Sequence, residues 1–179
     1  MNNRRLESEN MRLRAPEPED LDLLYTMEND TTLWSVGTTL LPYSRHTLRQ
    51  YIQQTSGDLY SERQARFVIE LKDGEEAGMI DLADYNPFDS RAEVCIGILG
   101  KYRGKGIATE ALTLLKEYAA GYLGIHQLYA YITAGHTASK KLFEGAGFSH
   151  TCTLKEWKRD GDDFVDIELY QWLKKHNKY

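Results

Sequence analysis

Met11, Leu13 and Ala15 alternate with Arg12 and Arg14, the period of a strand with one buried face, and Pro16 ends the run. Behind Pro18 the period becomes helical at Leu21, Leu24 and Met27, with Glu17, Glu19 and Asp20 crowded where a helix dipole favours negative charge. A second helix is expected over residues 45–55, after a loop at 37–43, and residues 55–62 read as a connection. Strand patterns then dominate: 67–69, a hairpin turn at Lys72-Asp73-Gly74, 79–85, a turn at Asn86-Pro87, and 93–99. Helical spacing returns at Ala108, Ala111, Leu112, Leu115, Ala119 and Tyr122, a wide apolar stripe stopped by Gly124. A strand at 128–132 and a helix at 137–144 follow, the latter broken at Gly145-Ala146-Gly147. Two further strands, 148–157 and 164–173, are joined at residues 158–162.

A meander followed by strands that alternate with helices predicts a mixed α/β domain, one sheet covered by helices on its faces. The 179 residues, 41% hydrophobic, fit a single domain over 1–179, with the polar residues 1–10 expected to be flexible. No signal peptide is evident, and no apolar run approaches the ~20 residues that span a bilayer, so the expectation is a cytoplasmic, soluble protein with no membrane partner. Cys95 and Cys152 lie among strand-like residues and are expected to be reduced and buried. His46, His126, His150 and His176 lack metal spacing, so no metal is expected. The net charge of −5, 22 basic against 27 acidic residues, leans against nucleic acid and toward a cationic substrate. A homodimer is the base-rate expectation.

One segment carries chemistry. The strand at 93–99 runs through Gly100-Lys101-Tyr102 into Arg103-Gly104-Lys105-Gly106-Ile107-Ala108 and straight into the amphipathic helix. Without a Cβ, Gly104 and Gly106 let backbone N–H groups approach an anion, and the helix start adds a favourable field. Arg103 and Lys105 add formal positive charge, so a pyrophosphate suits this loop. A P-loop does not fit: Gly100-x-x-x-Gly104-Lys105 is one residue short, and Gly106 stands where Ser or Thr must hold magnesium. No dinucleotide fingerprint occurs here either. A glycine-rich turn with no ligand is the plain alternative.

At these residues the chain resembles the GCN5-related N-acetyltransferase (GNAT) family, whose pyrophosphate motif is matched by Arg103-x-x-Gly106-x-Ala108. The likeness extends to Arg91-Ala92-Glu93 before the loop and to Ser139-x-x-Leu142-Phe143-x-x-x-Gly147-Phe148 after it. The tail Asp160-Gly161-Asp162-Asp163-Phe164-x-Asp166 looks like the branch of ribosomal-protein N-terminal and spermidine acetyltransferases. The resemblance implies a mostly antiparallel sheet that splays between its fourth and fifth strands, with acetyl-CoA in the gap. Gly97, Ile98 and Leu99 would offer backbone to the pantetheine, and Arg103, Gly104, Lys105, Gly106, Ile107 and Ala108 would hold the pyrophosphate. His136, where relatives often have Asn, and Phe143 would lie along the cofactor on the far side.

An alkyl amine with a pKa of ~10.4 must lose a proton before it attacks a thioester, so a base is required. Glu93 is the first candidate, on the same strand face as Cys95 and Gly97; pairing with a surface Arg is the alternative. Asp81, Asp84 and Glu156 are weaker ones. The resemblance offers a backbone N–H near Leu99 to the oxyanion. It also shows Phe143 standing where many relatives carry a proton-donating Tyr, and Ser139 matching a serine that could protonate the leaving sulfur. Ser139 bonding its own backbone is the competing reading, and Tyr129 and Tyr131 are other donors. The acceptor is expected to be a small polyamine, diamine or amino compound, or a protein N-terminus. Trp34 and Tyr43 could wall its site, and Glu17, Glu19, Asp20, Asp22, Glu28 and Asp30 could give a negative rim. Phe143 also leaves open a non-catalytic acyl-CoA sensor.

Overall fold

A computed structural model describes residues 6–31 and 41–175. Seven strands form one sheet: β1 (Met11–Arg14), β2 (Ala65–Leu71), β3 (Glu76–Asn86), β4 (Arg91–Ile98), β5 (Gln127–Thr133), β6 (Ser149–Asp160) and β7 (Asp163–Leu173). The order across it is β1-β2-β3-β4-β5-β7-β6, antiparallel except where β4 meets β5. The helices are α1 (Leu21–Glu28), α2 (Arg45–Gln54), α3 (Leu59–Glu62), α4 (Ile107–Gly121) and α5 (Thr137–Gly145). The mixed α/β class read from the pattern is thus the one observed. No helix among the described residues is long and apolar enough to cross a membrane.

The two faces of the sheet carry separate cores. Period-two alternation sends Ile69, Ile80, Leu82, Val94 and Leu128 to one face, where the buried stripe Ala111, Leu112 and Leu115 of α4 meets them. Phe143 of α5 packs on that side too. On the other face Leu24 and Met27 of α1 and Leu48 of α2 close over Val68 and Met79. A wholly buried leucine such as Leu24 contributes about 2 kcal/mol of transfer free energy.

Electrostatics fixes how α1 is entered. Arg14 at the end of β1 makes two 2.7 Å bonds to Asp20, which is 1% exposed and also accepts the Glu17 N–H at 2.6 Å. Burial pushes the Asp20 carboxyl up, but the Arg14 and Glu17 bonds outweigh it and hold Asp20 below its ordinary value. Three members of the expected acidic rim are already paired with arginines, Asp22 at the surface and the other two within the fold. Asp20 is bound to Arg14, Asp22 to Arg45, and Glu28 to Arg66 at 2.6 Å.

Several expectations need correction. Cys95 and Cys152 are exposed, because they sit on the α1 and α2 side of the sheet, where the helices cover only the part around β2 and β3. The connection at 55–62 contains α3. Asp58 caps it by accepting the Tyr60 N–H, and one turn is too short to show a period. Within the stretch expected to be flexible, Leu6 packs on the core and Ser8 donates a 2.6 Å bond to Glu110. The last hairpin is tighter than read: β6 continues to Asp160, opposite Asp163, and Gly161 at φ 63° makes the turn.

Candidate active site

β4 and β5 share only three rungs, Arg91 with Gln127, Ala92 with Leu128 and Glu93 with Tyr129, and then part. Past Glu93 one edge of β4 is therefore unpaired. Which groups face the opening follows from the β3 register. Leu99 donates its N–H to the Ala77 carbonyl at 2.9 Å, and antiparallel pairs alternate, so Gly97, Cys95 and Glu93 likewise spend their backbone groups on β3. The groups turned into the opening belong to Ile96 and Ile98. This corrects the expectation for Gly97 and Leu99: the Leu99 N–H is not free to meet an oxyanion. Close contact makes the register strict, since a Cβ at Gly78 would lie 2.1 Å from the Gly97 carbonyl oxygen.

At the open end the chain turns through Gly100–Tyr102 into the glycine loop. Gly104 and Gly106 adopt φ 74° and 80°, the left-handed region where a Cβ is strained, and nothing stands within 4 Å of where their Cβ atoms would be. Gly106 is the N-cap of α4, and no side-chain hydrogen bond caps the helix, so its first N–H groups lack a side-chain partner. Arg103 anchors the loop by donating from Nε to the Ile98 carbonyl at 2.9 Å. Lys105 lies over the Tyr102 ring, 5.5 Å from its centroid. A strand edge unpaired by β5, with its Ile98 carbonyl taken by Arg103, leading to an uncapped helix start fits a long ligand with a pyrophosphate.

Glu93 stands at the vertex, on the face away from α4. It forms no ion pair among the described residues, and its one bond is a 3.7 Å contact from the Cys95 thiol. Burial raises its carboxyl above the ordinary value, the Cys95 hydrogen bond opposes this in part, and the nearby Asp84 charge adds to the rise. Asp81 and Asp84 are engaged, and Glu156 lies away from the opening. Asp81 binds Arg66 in a fork whose shortest arm is 2.9 Å, and Asp84 accepts the Tyr129 hydroxyl at 2.7 Å. Glu156 sits exposed in a β6 bulge, its N–H bound by Asp166. Tyr129 is accordingly committed as a donor, whereas Tyr131, 41% exposed and edge-on to Tyr129, remains open.

Ser139 lies in the first turn of α5, on the α4 side of the sheet, so Glu93 and Ser139 flank the opening from opposite faces and do not touch. Its N–H is bound by the Nδ1 of His136, which caps the helix at 3.1 Å, and its hydroxyl makes no hydrogen bond among the described residues. His136 thus has a structural duty in addition to any ligand contact. Phe143 is 4% exposed and edge-on to Phe148 at 5.0 Å, a core side chain with little surface to give a cofactor. Tyr43 is held through its backbone by Asn29, and Trp34 and His176 lie outside the described residues. No cluster of metal ligands occurs among the described residues.

A family profile described as "Acetyltransferase (GNAT) domain" matches residues 10–149. The chain belongs to that family. It is an acetyl-CoA-dependent N-acetyltransferase. Spermidine N(1)-acetyltransferase of Escherichia coli (strain K12) is 28% identical over 144 residues, 78% of this chain and 73% of that protein. A putative ribosomal N-acetyltransferase, YdaF of Bacillus subtilis (strain 168), is 29% identical over 161 residues, 86% and 84% of the two chains. The fold matches the crystal structure of spermidine N-acetyltransferase from Vibrio cholerae in complex with CoA and spermine, with a TM-score of 0.83 at 23% identity, covering 93% of this chain and 96% of that one. For this acetyltransferase the parted β4 edge and the uncapped α4 are the parts that suit acetyl-CoA.

Proposed function

We propose that this acetyltransferase acts on a primary amine of a small cationic compound, of the polyamine or diamine class, with Glu93 as the proton acceptor and Ser139 as the donor to sulfur. The observation that carries the reading is Glu93 itself: a half-buried carboxylate at the vertex, without a cationic partner among the described residues. The likeness to spermidine acetyltransferases supports the acceptor class.

The residues divide the work by position. Acetyl-CoA supplies the activated acyl group as a thioester. Backbone N–H groups of the Gly104–Ala108 loop and the field of α4 hold the pyrophosphate, with Arg103 and Lys105 beside them. The inward groups of Ile96 and Ile98 orient the pantetheine arm, and the Ile98 N–H is a donor for the acyl oxygen. Glu93 takes a proton from the arriving ammonium, leaving a neutral amine whose nitrogen can form the new C–N bond as the C–S bond breaks. The Ser139 hydroxyl gives a proton to the departing sulfur and regains one as the new C–N nitrogen sheds its second proton, a modest aid because a thiol with a pKa of about 8.5 leaves readily.

One observation favours a second acceptor, a protein N-terminus. Tyr131 and Cys152 are exposed on the face beside Glu93, leaving it accessible to an extended chain. The test is thiol release from acetyl-CoA against spermidine, a diamine, amino acids and short peptides. Spermidine- or diamine-dependent release is expected to be fastest, and a peptide preference would replace the acceptor class. Glu93→Gln is expected to lower kcat about 100-fold and Ser139→Ala about tenfold. Unchanged turnover in either variant would remove that residue from its role.

A further inference from the structure

Asp84 is a non-glycine residue in the middle of β3 with φ 45°, in the left-handed region. Its neighbours Leu82 and Tyr85 both belong to the core under α4. In a regular strand residues 82 and 84 would share a face, but two residues, Ala83 and Asp84, separate the inward pair, and the register shifts between Ala83 and Asn86. The bulge turns Asp84 onto the opposite face. There the Tyr129 hydroxyl, next to Glu93 on the last rung before β4 and β5 part, holds it at 2.7 Å. A strained backbone thus brings a second carboxylate beside the one already poised as base.

We propose that Asp84 is a positioning residue for Glu93, fixed by Tyr129 so that its negative charge strengthens Glu93 as a proton acceptor. The inference rests on the reading of Glu93 as the base. Like charge nearby disfavours an ionised carboxylate and makes it hold a proton more tightly, which a base for an ammonium group requires. Glu93 is raised by burial first; the Cys95 hydrogen bond opposes this, and the Asp84 charge adds to the rise.

Among the other groups around Glu93, the Cys95 hydrogen bond opposes the rise and outweighs the Asp84 charge, which acts against it. From β3, Asp81 is matched by Arg66 of β2, which also binds Glu28. On β4, Cys95 donates to Glu93, and Arg91 is paired with Asp89, its charge also reaching Asp84. From β5, Tyr129 and Tyr131 are phenols raised above their ordinary value by burial first, and so stay neutral, and Cys152 of β6 lies beyond Tyr131. Asp84 is the nearby charge that acts on Glu93 without an ion pair of its own among the described residues.

Asp84→Asn tests the idea cleanly, because Asn tolerates the left-handed conformation and its carbonyl can still accept the Tyr129 hydroxyl; only the charge is lost. The measurement is kcat/KM against pH for the wild type, Asp84→Asn, Glu93→Gln and the double variant. Activity should fall on the acid side as Glu93 is protonated. In Asp84→Asn that limb should move to lower pH by about half a unit or more, with the plateau down about twofold, since a weaker base is left. Tyr129→Phe, which keeps the charge but unlatches it, should move the limb the same way by less. Glu93→Gln should remove the limb, and adding Asp84→Asn should then change nothing. A limb that stays put in both Asp84→Asn and Tyr129→Phe, while Glu93→Gln abolishes it, overturns the role of Asp84 alone. A limb that persists in Glu93→Gln overturns the base assignment and this proposal with it.

Discussion

Two helices follow the two strands that part, and their starts are built in opposite ways. α4, after β4, begins at Gly106 with φ 80°, no capping side chain and open space before it. α5, after β5, begins at His136, whose ring nitrogen accepts the Ser139 N–H at 3.1 Å. Both present the positive end of a helix near the same opening, yet only the first leaves its donors for an outside partner. An uncapped start is a stability cost of about 1 kcal/mol, which a protein keeps when a ligand anion completes the cap. The comparison separates a helix start left without a side-chain cap from one closed by its own chain.

Substitutions can break this contrast. The largest effect is expected for Gly106→Glu, which strains the backbone and sets a carboxylate where phosphate is expected. Acetyl-CoA affinity by calorimetry should fall about 100-fold or more while the circular dichroism spectrum is retained. Unchanged affinity would remove the pyrophosphate from this loop. Gly106→Asn is the gentler form, since Asn accepts the left-handed conformation and can cap α4 with its own side chain. About a tenfold loss of affinity is expected, with thermal stability equal to or above the wild type. The smallest effect should come from His136→Ala, which uncaps α5: about 1 kcal/mol of stability lost in urea unfolding, and acetyl-CoA affinity within about twofold. A large affinity loss there would make the His136 ring a ligand contact as well as a cap.

A further test concerns the fold that carries both helices. Asp20 is held below its ordinary value, so its contribution is full above the unfolded pKa near 3.9 and fades as pH falls through the lower folded one. Asp20→Asn should therefore cost about 3 kcal/mol at neutral pH and lose that deficit in acid; a deficit independent of pH would show that Arg14 does not depend on the Asp20 charge.

Much of this was legible in the chain itself. The periods at residues 11–15 and 108–122 correspond to β1 and α4, with ends displaced by a residue or so, because burial of one face is written into the spacing. Gly104, Gly106 and Arg103 announced an anion loop, because backbone freedom and charge are local properties. α3 was not legible, since one turn has no period, though Asp58 before Leu59 was a usable cap signal. Which backbone groups face the opening was not legible either: Gly97 and Leu99 against Ile96 and Ile98 is a matter of register with β3, set by Ala77 and Gly78 some twenty residues earlier. The two cysteines read as buried because strand period tells only that a residue has a face, not whether a helix covers it.

The sequence by itself determined most of the elements and the glycine loop, because each depends on neighbours along the chain, and its resemblance to the acetyltransferase family implied the reaction class. Only the tertiary structure decided that β4 and β5 part after Glu93, that a bulge swings Asp84 beside it, and that Asp81 and Tyr129 are already engaged. Those facts arise from pairing between distant segments, where a one-residue change of register alters which groups are free to react.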